Sequence, residues 1–269
     1  MKYKLFISDF DGTLGSAPDY ISQEDINAIK EYTARGGIFV LCTGRMYKSI
    51  KKICKNYGIT GLIASYQGAM IKDLETEETL FNGGLEPKVA VQVIKKFLAE
   101  GVQVIADIAD NMYLQSRSEY IDLYESQNNI KGVLVDDLVA TVEKLNLPVS
   151  KCMAMCDEKK VKELTEQCVK EFDSSKVSFN SGAYFLVECV NPACSKDFAV
   201  KKIIDYYKIP YDQVLTVGDS TNDIPLFGGE WYKVAVGDGH PDLKAIADEI
   251  TVPFDSHPVK VLLEKYCLR

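Results

Sequence analysis

The chain has 269 residues, 46% hydrophobic and 26% charged, a composition that builds an ordinary globular core without disulfides. Its 39 acids outnumber its 31 bases for a net charge of −8, which argues against a nucleic-acid or anionic-membrane partner because no basic field gathers phosphates at long range. No run approaches the ~18 apolar residues of a membrane span, and the N-terminal MKYKLFISDF holds an acid within its apolar stretch, unlike a signal peptide. The eight cysteines are scattered with no CxxC pair, so they read as free thiols in a reducing, cytoplasmic setting. Cys152 and Cys156 in KCMAMC read as strand side chains, because no second pair exists to complete a metal site.

Taken in chain order, residues 4–9 read as a buried strand that delivers Asp9 and Asp11 and turns at once on Gly12. SQEDINAIKEYTARGG reads as a helix with Ser22 as its N-cap, Ile26 and Ile29 inward, and Gly36–Gly37 as its stop. IFVLCTGR is a second β-rich run, MYKSIKKICKNYG a helix with Ile50, Ile53 and Cys54 at helical spacing, and GLIASYQGAMI a strand and turn. This alternation predicts a parallel sheet covered by helices.

FNGGLEP, residues 81–87, is a candidate hinge, and beyond it the pattern changes. A helix with Val89, Val93, Ile94, Phe97 and Leu98 on one face precedes the strand-like VQVIADIA and NMYLQS. Residues 116–131 read as less regular and polar; DDLVATVEKL reads as a helix, VSKCMAMC as a strand and EKKVKELTEQCVKEF as an amphipathic helix. KVSFN and AYFLVECV read as strands joined by a hairpin turn at Ser181–Gly182. The first pattern then resumes with a helix opened by Lys196 and the strand QVLTVGDSTNDI, which ends in acids. The reading is an α/β fold: a doubly wound, Rossmann-like parallel-sheet core over 1–83 and 190–269, with an inserted α+β domain over 84–189.

Ligands of open parallel sheets bind at the carboxyl ends of the strands. Here those ends carry Asp9 and Asp11, then Thr43, Gly44 and Arg45, then Gly218, Asp219, Ser220, Asn222 and Asp223, while Lys196 opens the late helix. Asp9, Asp11, Asp219 and Asp223 would repel one another if they converge, and a divalent cation resolves that conflict. An all-oxygen ligand set without histidine or thiolate points to magnesium. A metal beside Thr43, backbone amides and a lysine makes a phosphate site.

DFDGT, TGR, a helix-opening lysine and GDSTND, in that order, resemble the four motifs of the haloacid dehalogenase superfamily, and the insert resembles the large α/β cap of its Cof-type sugar-phosphate phosphatases. The resemblance implies Asp9 as nucleophile and Asp11 as general acid and then base, with Thr13 and the Gly12 turn fixing Asp11. It implies phosphate binding by Gly12, Thr43, Gly44, Lys196 and Asn222, the last bonding phosphate or orienting Asp9. It implies Mg2+ held by Asp9, Asp11 through its backbone carbonyl, and Asp219, with Asp223 in or just behind that shell. Arg45 reads as a structural or cap contact.

The implied function is hydrolysis of a small phosphorylated metabolite, a sugar phosphate or similar, through an aspartyl-phosphate, by a monomer or weak homodimer. An acid at position 11 speaks against the family's ion-pumping branch, which carries threonine there. A phosphosugar mutase and a low-turnover phosphometabolite-binding regulator are the alternatives. The chain departs from the family pattern at Asp197, Gln67 and Asp238, positions at which leaving-group contacts would change.

Overall fold

Leu5, Phe6 and Ile7 are all buried, so their strand is covered on both faces and belongs in the middle of a sheet. The computed structural model describes residues 1–17 and 19–268. The chain runs through β1 (Leu5–Ser8), a ribbon of β2 (Gly15–Ser16) and β3 (Tyr20–Ile21), α1 (Gln23–Ala34), β4 (Ile38–Cys42), α2 (Tyr47–Tyr57), β5 (Leu62–Ser65), β6 (Met70–Asp73) and β7 (Thr79–Asn82). It continues with α3 (Pro87–Ala99), β8 (Gln103–Ile108), β9 (Asn111–Leu114), α4 (Glu119–Asn128), β10 (Val133–Leu134), α5 (Leu138–Leu145), β11 (Val149–Met155), α6 (Glu158–Glu171), β12 (Ser178–Ala183) and β13 (Leu186–Val190). It closes with α7 (Lys196–Tyr207), β14 (Val214–Gly218), β15 (Tyr232–Ala235), α8 (Pro241–Ala245), β16 (Glu249–Ile250) and α9 (Pro258–Tyr266). These elements fall into two compact units, Met1–Phe81 with Ser195–Arg269, and Asn82–Cys194.

In the first unit the described residues form an eight-stranded sheet in the order β16-β15-β14-β1-β4-β5-β6-β7. The strands from β16 to β5 pair in parallel, and β6 turns back antiparallel on β5. β1 is central, with Ser8 level with Val217 of β14 and Leu41 of β4. Alternation along β1 sends Leu5 and Ile7 to one face, where they pack with Ala199, Val200, Ile203 and Ile204 of α7. Phe6 goes to the other, where its ring meets Phe39 and Tyr32 of α1. Full burial of such a side chain contributes about 1.5–3 kcal/mol, which fixes the register of this strand. α1 starts where the Ser22 side chain accepts from Asp25 N, and α2 stops where Gly58 turns left-handed.

The second unit carries a six-stranded sheet, β10-β9-β8-β11-β13-β12, whose central pairs β8–β11 and β11–β13 are antiparallel. α3, α5 and α6 supply the apolar layer that packs on Val104, Ala106 and Ile108 of β8 and on Cys152 and Ala154 of β11. Asp107 and Lys151 pair across β8 and β11, and Lys151 Nζ lies 2.8 Å from Oε1 of Glu188 on β13. Both carboxylate oxygens of Asp107 are buried without a hydrogen-bond partner.

Three local expectations need correction. Residues 116–131 are not irregular: they contain α4, which follows Ser118 and buries Ile121, Tyr124 and Glu125. Glu125 is held there by Arg117, Lys131 and the backbone N of Gly132. The second hairpin turns at Tyr184–Phe185 rather than Ser181–Gly182; pairing already shifts between Ser181 and Ala183, so the glycine lies at an irregularity inside the strand. Leu98 is exposed, because the inward stripe of α3 runs through Ala90, Val93, Ile94 and Phe97. All eight cysteines are buried free thiols, with Cys152 and Cys156 in the apolar core. Among the described residues no helix is long and apolar enough to cross a membrane.

Candidate active site

β1 and β14 are parallel neighbours, with Ser8, the last residue of β1, level with Val217 and β14 ending one residue further on at Gly218, so the residues just past them emerge close together. Asp9 follows β1, is 4% exposed, and donates its N–H to Val217 O. Asp219 follows β14. The two loops meet closely: Gly12 sits at φ +80°, and a Cβ there would stand 2.5 Å from Asp219 Oδ2. Glycine at position 12 thus answers both a left-handed backbone and a lack of space. Behind Asp219, the N–H of His240 donates to its carbonyl at 2.6 Å.

α7 begins at Ser195, whose hydroxyl accepts from Phe198 N, and its first residue, Lys196, points inward and is 1% exposed. Its Nζ lies 2.5 Å from Asp9 Oδ1 and 2.6 Å from Asp223 Oδ1. The other oxygen of Asp223 accepts the N–H groups of Asp219 (3.0 Å) and Ser220 (3.1 Å). Asp223 therefore shapes the loop that carries Asp219 while pairing with the lysine.

Carboxylate oxygens of Asp9, Asp219 and Asp223 lie within 4.8 Å of one another. Burial raises the Asp9 pKa well above the carboxylate range, and Asp223 adds to it against the opposing pull of Lys196. Burial and then Asp223 push Asp219 up to about 6. Burial alone would lower Lys196, but Asp223 and Asp9 outweigh it and its pKa rises. One ammonium does not neutralise three clustered acids, and the site is short of positive charge. Among the described residues the clustered ligand atoms are carboxylate oxygens, which suits a hard divalent cation, and Asp9 and Asp219 are residues that could hold it.

Asp11 is held differently from expectation. Arg45 grips it with two hydrogen bonds, Nε to Oδ2 at 2.8 Å and Nη2 to Oδ1 at 2.6 Å, and the guanidinium lies 4.6 Å from the Phe10 ring centre. The Thr13 hydroxyl, which the resemblance assigned to Asp11, donates to Asp219 Oδ1 at 2.8 Å. Thr43 is buried and its hydroxyl accepts from Arg45 N at 3.2 Å. Asn222 is exposed, and its carbonyl accepts from the Ser220 hydroxyl at 2.5 Å. The structure thus gathers Asp9, Asp219, Asp223 and Lys196 in one cluster, sets Gly12 against it, and leaves Asn222 on the outer side of its turn. The sequence placed Arg45 beside the phosphate loop without showing its target; its charge, next to an acid-rich strand end, was the available signal.

Residues 6–263 match the family of haloacid dehalogenase-like hydrolases. The chain belongs to that family. This hydrolase is 24% identical over 270 residues to the 5-amino-6-(5-phospho-D-ribitylamino)uracil phosphatase YitU of Bacillus subtilis, covering 97% of both chains. It is 25% identical over 282 residues to phosphatase YwpJ of the same organism, covering 97% of this chain and 99% of that one. Its fold superposes on TM0651 of Thermotoga maritima with a TM-score of 0.89 at 24% identity, covering 99% and 100% of the two chains. The subclass IIB sugar phosphatase BT4131 gives a TM-score of 0.81 at 19% identity, again covering 99% and 100%.

Proposed function

We propose that this hydrolase is a magnesium-dependent phosphatase that cleaves a small phosphorylated metabolite, a sugar phosphate or similar, through an aspartyl-phosphate on Asp9. The observation that carries the reading is the buried Lys196 joined to Asp9 and Asp223, with Asp219 beside them and more acid than base in the cluster. When bound, a divalent cation would offset phosphate charge and hold it near Asp9.

The chain's own groups supply the rest. An Asp9 carboxylate oxygen forms a bond to phosphorus while the ester oxygen leaves. Lys196 and the backbone of the Thr43–Gly44 loop receive charge on the phosphoryl oxygens. Asp11, aimed by Arg45, gives a proton to the departing alkoxide. It then takes a proton from the water that attacks phosphorus, and the Asp9–phosphorus bond breaks to return the carboxylate. Residues 84–189 are the proposed cap, the part of the chain that would choose among leaving groups.

The test is phosphate release from p-nitrophenyl phosphate by the purified protein with magnesium. Chelation by EDTA is expected to abolish it, and Asp9→Asn is expected to fold and lose it. Full activity in Asp9→Asn, or activity indifferent to EDTA, would refute the reading.

A further inference from the structure

The turn after β1 carries a rigid donor as well as its acids. The N–H groups of Leu14 and Gly15 both donate to Phe10 O, at 3.0 and 2.8 Å, and Gly12 N donates to Gly15 O at 2.9 Å. Thr13 stands inside this closed turn and is wholly buried. A β-branched side chain on a fixed backbone has few rotamers, and a buried hydroxyl out of reach of water places its proton on a protein acceptor. Among the described residues that acceptor is Asp219 Oδ1, at 2.8 Å.

Asp219 is fixed from its other sides too. Its N–H donates to Asp223 Oδ2 at 3.0 Å, and its carbonyl accepts from His240 N at 2.6 Å. A Cβ on Gly12 would stand 2.5 Å from Oδ2, so the carboxylate has little room to turn. Among the described residues Oδ1 has a hydrogen-bond donor and Oδ2 has none. Asp219 therefore joins Asp9 and Asp223 with one oxygen engaged and the other unengaged. The difference bears on which cation the cluster suits. Mg2+ is small and takes about six oxygens in near-octahedral geometry, several of them from water, whereas Ca2+ takes about 6–8 and readily uses both oxygens of one carboxylate.

We propose that Thr13 is a specificity-determining residue for the cation: by engaging Oδ1, its hydroxyl restricts Asp219 to one oxygen and so favours Mg2+ over Ca2+. The inference rests on the phosphatase reading above and deepens it at the same site. Without the hydroxyl, Oδ1 would be left beside an apolar side chain, and a cation that takes both oxygens would compensate it.

The experiment measures dissociation constants of Mg2+ and of Ca2+ by calorimetric titration of the full chain without substrate. It compares the unaltered protein with Thr13→Val, which keeps the shape and removes the donor, and Thr13→Ser, which keeps the donor. A hydrogen bond to a charged group is commonly worth a factor of about ten or more, so Thr13→Val is expected to lower the preference for Mg2+ over Ca2+ about tenfold, with Ca2+ binding more tightly than before. Thr13→Ser is expected to hold the preference within about twofold of the original. A preference in Thr13→Val within about twofold of the original overturns the proposal, whether both cations weaken together, as a merely structural hydroxyl would give, or neither changes. Should Thr13→Val fail to fold, the unaltered protein decides: Ca2+ bound as tightly as Mg2+ overturns the proposal. Phosphate release from p-nitrophenyl phosphate with magnesium, alongside an unchanged preference in Thr13→Val, would sink this inference and leave the phosphatase reading standing. Absence of both cation binding and release in the unaltered protein would defeat that reading, and this inference with it.

Discussion

Lys196 Nζ and Asp9 Oδ1 stand 2.5 Å apart although 187 positions separate them in the chain. Both side chains are almost wholly buried, so neither charge has water as an alternative partner. Removing one member of such a pair commonly costs about 3–5 kcal/mol, because the other is left buried and uncompensated. Lys196→Met is therefore expected to lower unfolding stability by about that amount in urea titrations and to abolish turnover. Adding magnesium should restore part of the stability and none of the activity. A variant of unchanged stability would mean that Asp9 and Asp223 are neutral in the fold.

Asp219 is tied to Thr13 on one side and faces Asp9 and Asp223 on the other. Its replacement separates cation binding from folding. In the unaltered protein, millimolar magnesium is expected to raise the thermal midpoint, since a ligand that binds only the folded form stabilises it by mass action. In Asp219→Asn that rise should vanish while the metal-free midpoint stays the same or climbs, because one of three clustered acids has gone. An undiminished magnesium response would place the cation elsewhere.

The two-pronged grip of Arg45 on Asp11 predicts a dependence on leaving group. Arg45→Lys keeps the charge and loses the planar fork that orients the carboxylate. Turnover of an alkyl phosphate, whose alkoxide must be protonated, is expected to fall about tenfold or more, a usual share of general-acid catalysis. Turnover of p-nitrophenyl phosphate, whose leaving group departs without a proton, should change much less. Equal losses on both would assign Arg45 to binding and not to aiming Asp11.

In the second unit, burial lifts the Asp107 pKa to about 7 against the opposing pull of Lys151, with Asp110 and Glu188 adding to the rise. An unfolded aspartate titrates near ~3.9, so the folded state holds the proton more tightly. The contribution of this one group to stability is then fully present below pH ~4, is lost as pH rises towards 7 and stays lost above it, a difference of about 4 kcal/mol. Asp107→Asn is expected to match the unaltered protein at pH 4 and to be more stable at pH 8 by about 1–3 kcal/mol by calorimetry. A difference that does not vary with pH would show that Lys151 keeps Asp107 ionised.

Why some of this was legible in the sequence and some was not follows from where each signal resides. β1, β4 and β14 announce themselves because each is a short apolar run that stops at acids or small polar residues, and parallel strands covered on both faces have no other way to read. α4 went unseen because only Ile121 and Tyr124 supply its apolar face, and its third buried residue is Glu125, neutralised by Arg117 from outside the helix. Thr13 lies two positions from Asp11, yet bonds a residue 206 positions away, and local order in the chain does not encode that. The Asp107–Lys151–Glu188 row is likewise a product of strand pairing: each residue alone reads as the polar half of an alternating strand.

The pairing of Ser8 with Val217 carries a further consequence. Each strand acts as a ruler with divisions of about 3.3 Å, and adjacent divisions face opposite sides. Asp219 already lies one division past the level of Asp9, and inserting one residue anywhere in Val214–Gly218 would push it a further division along and turn its carboxylate to the far side of the sheet. Length in these strands is therefore held more tightly than composition: many apolar swaps would be absorbed, and no single insertion would.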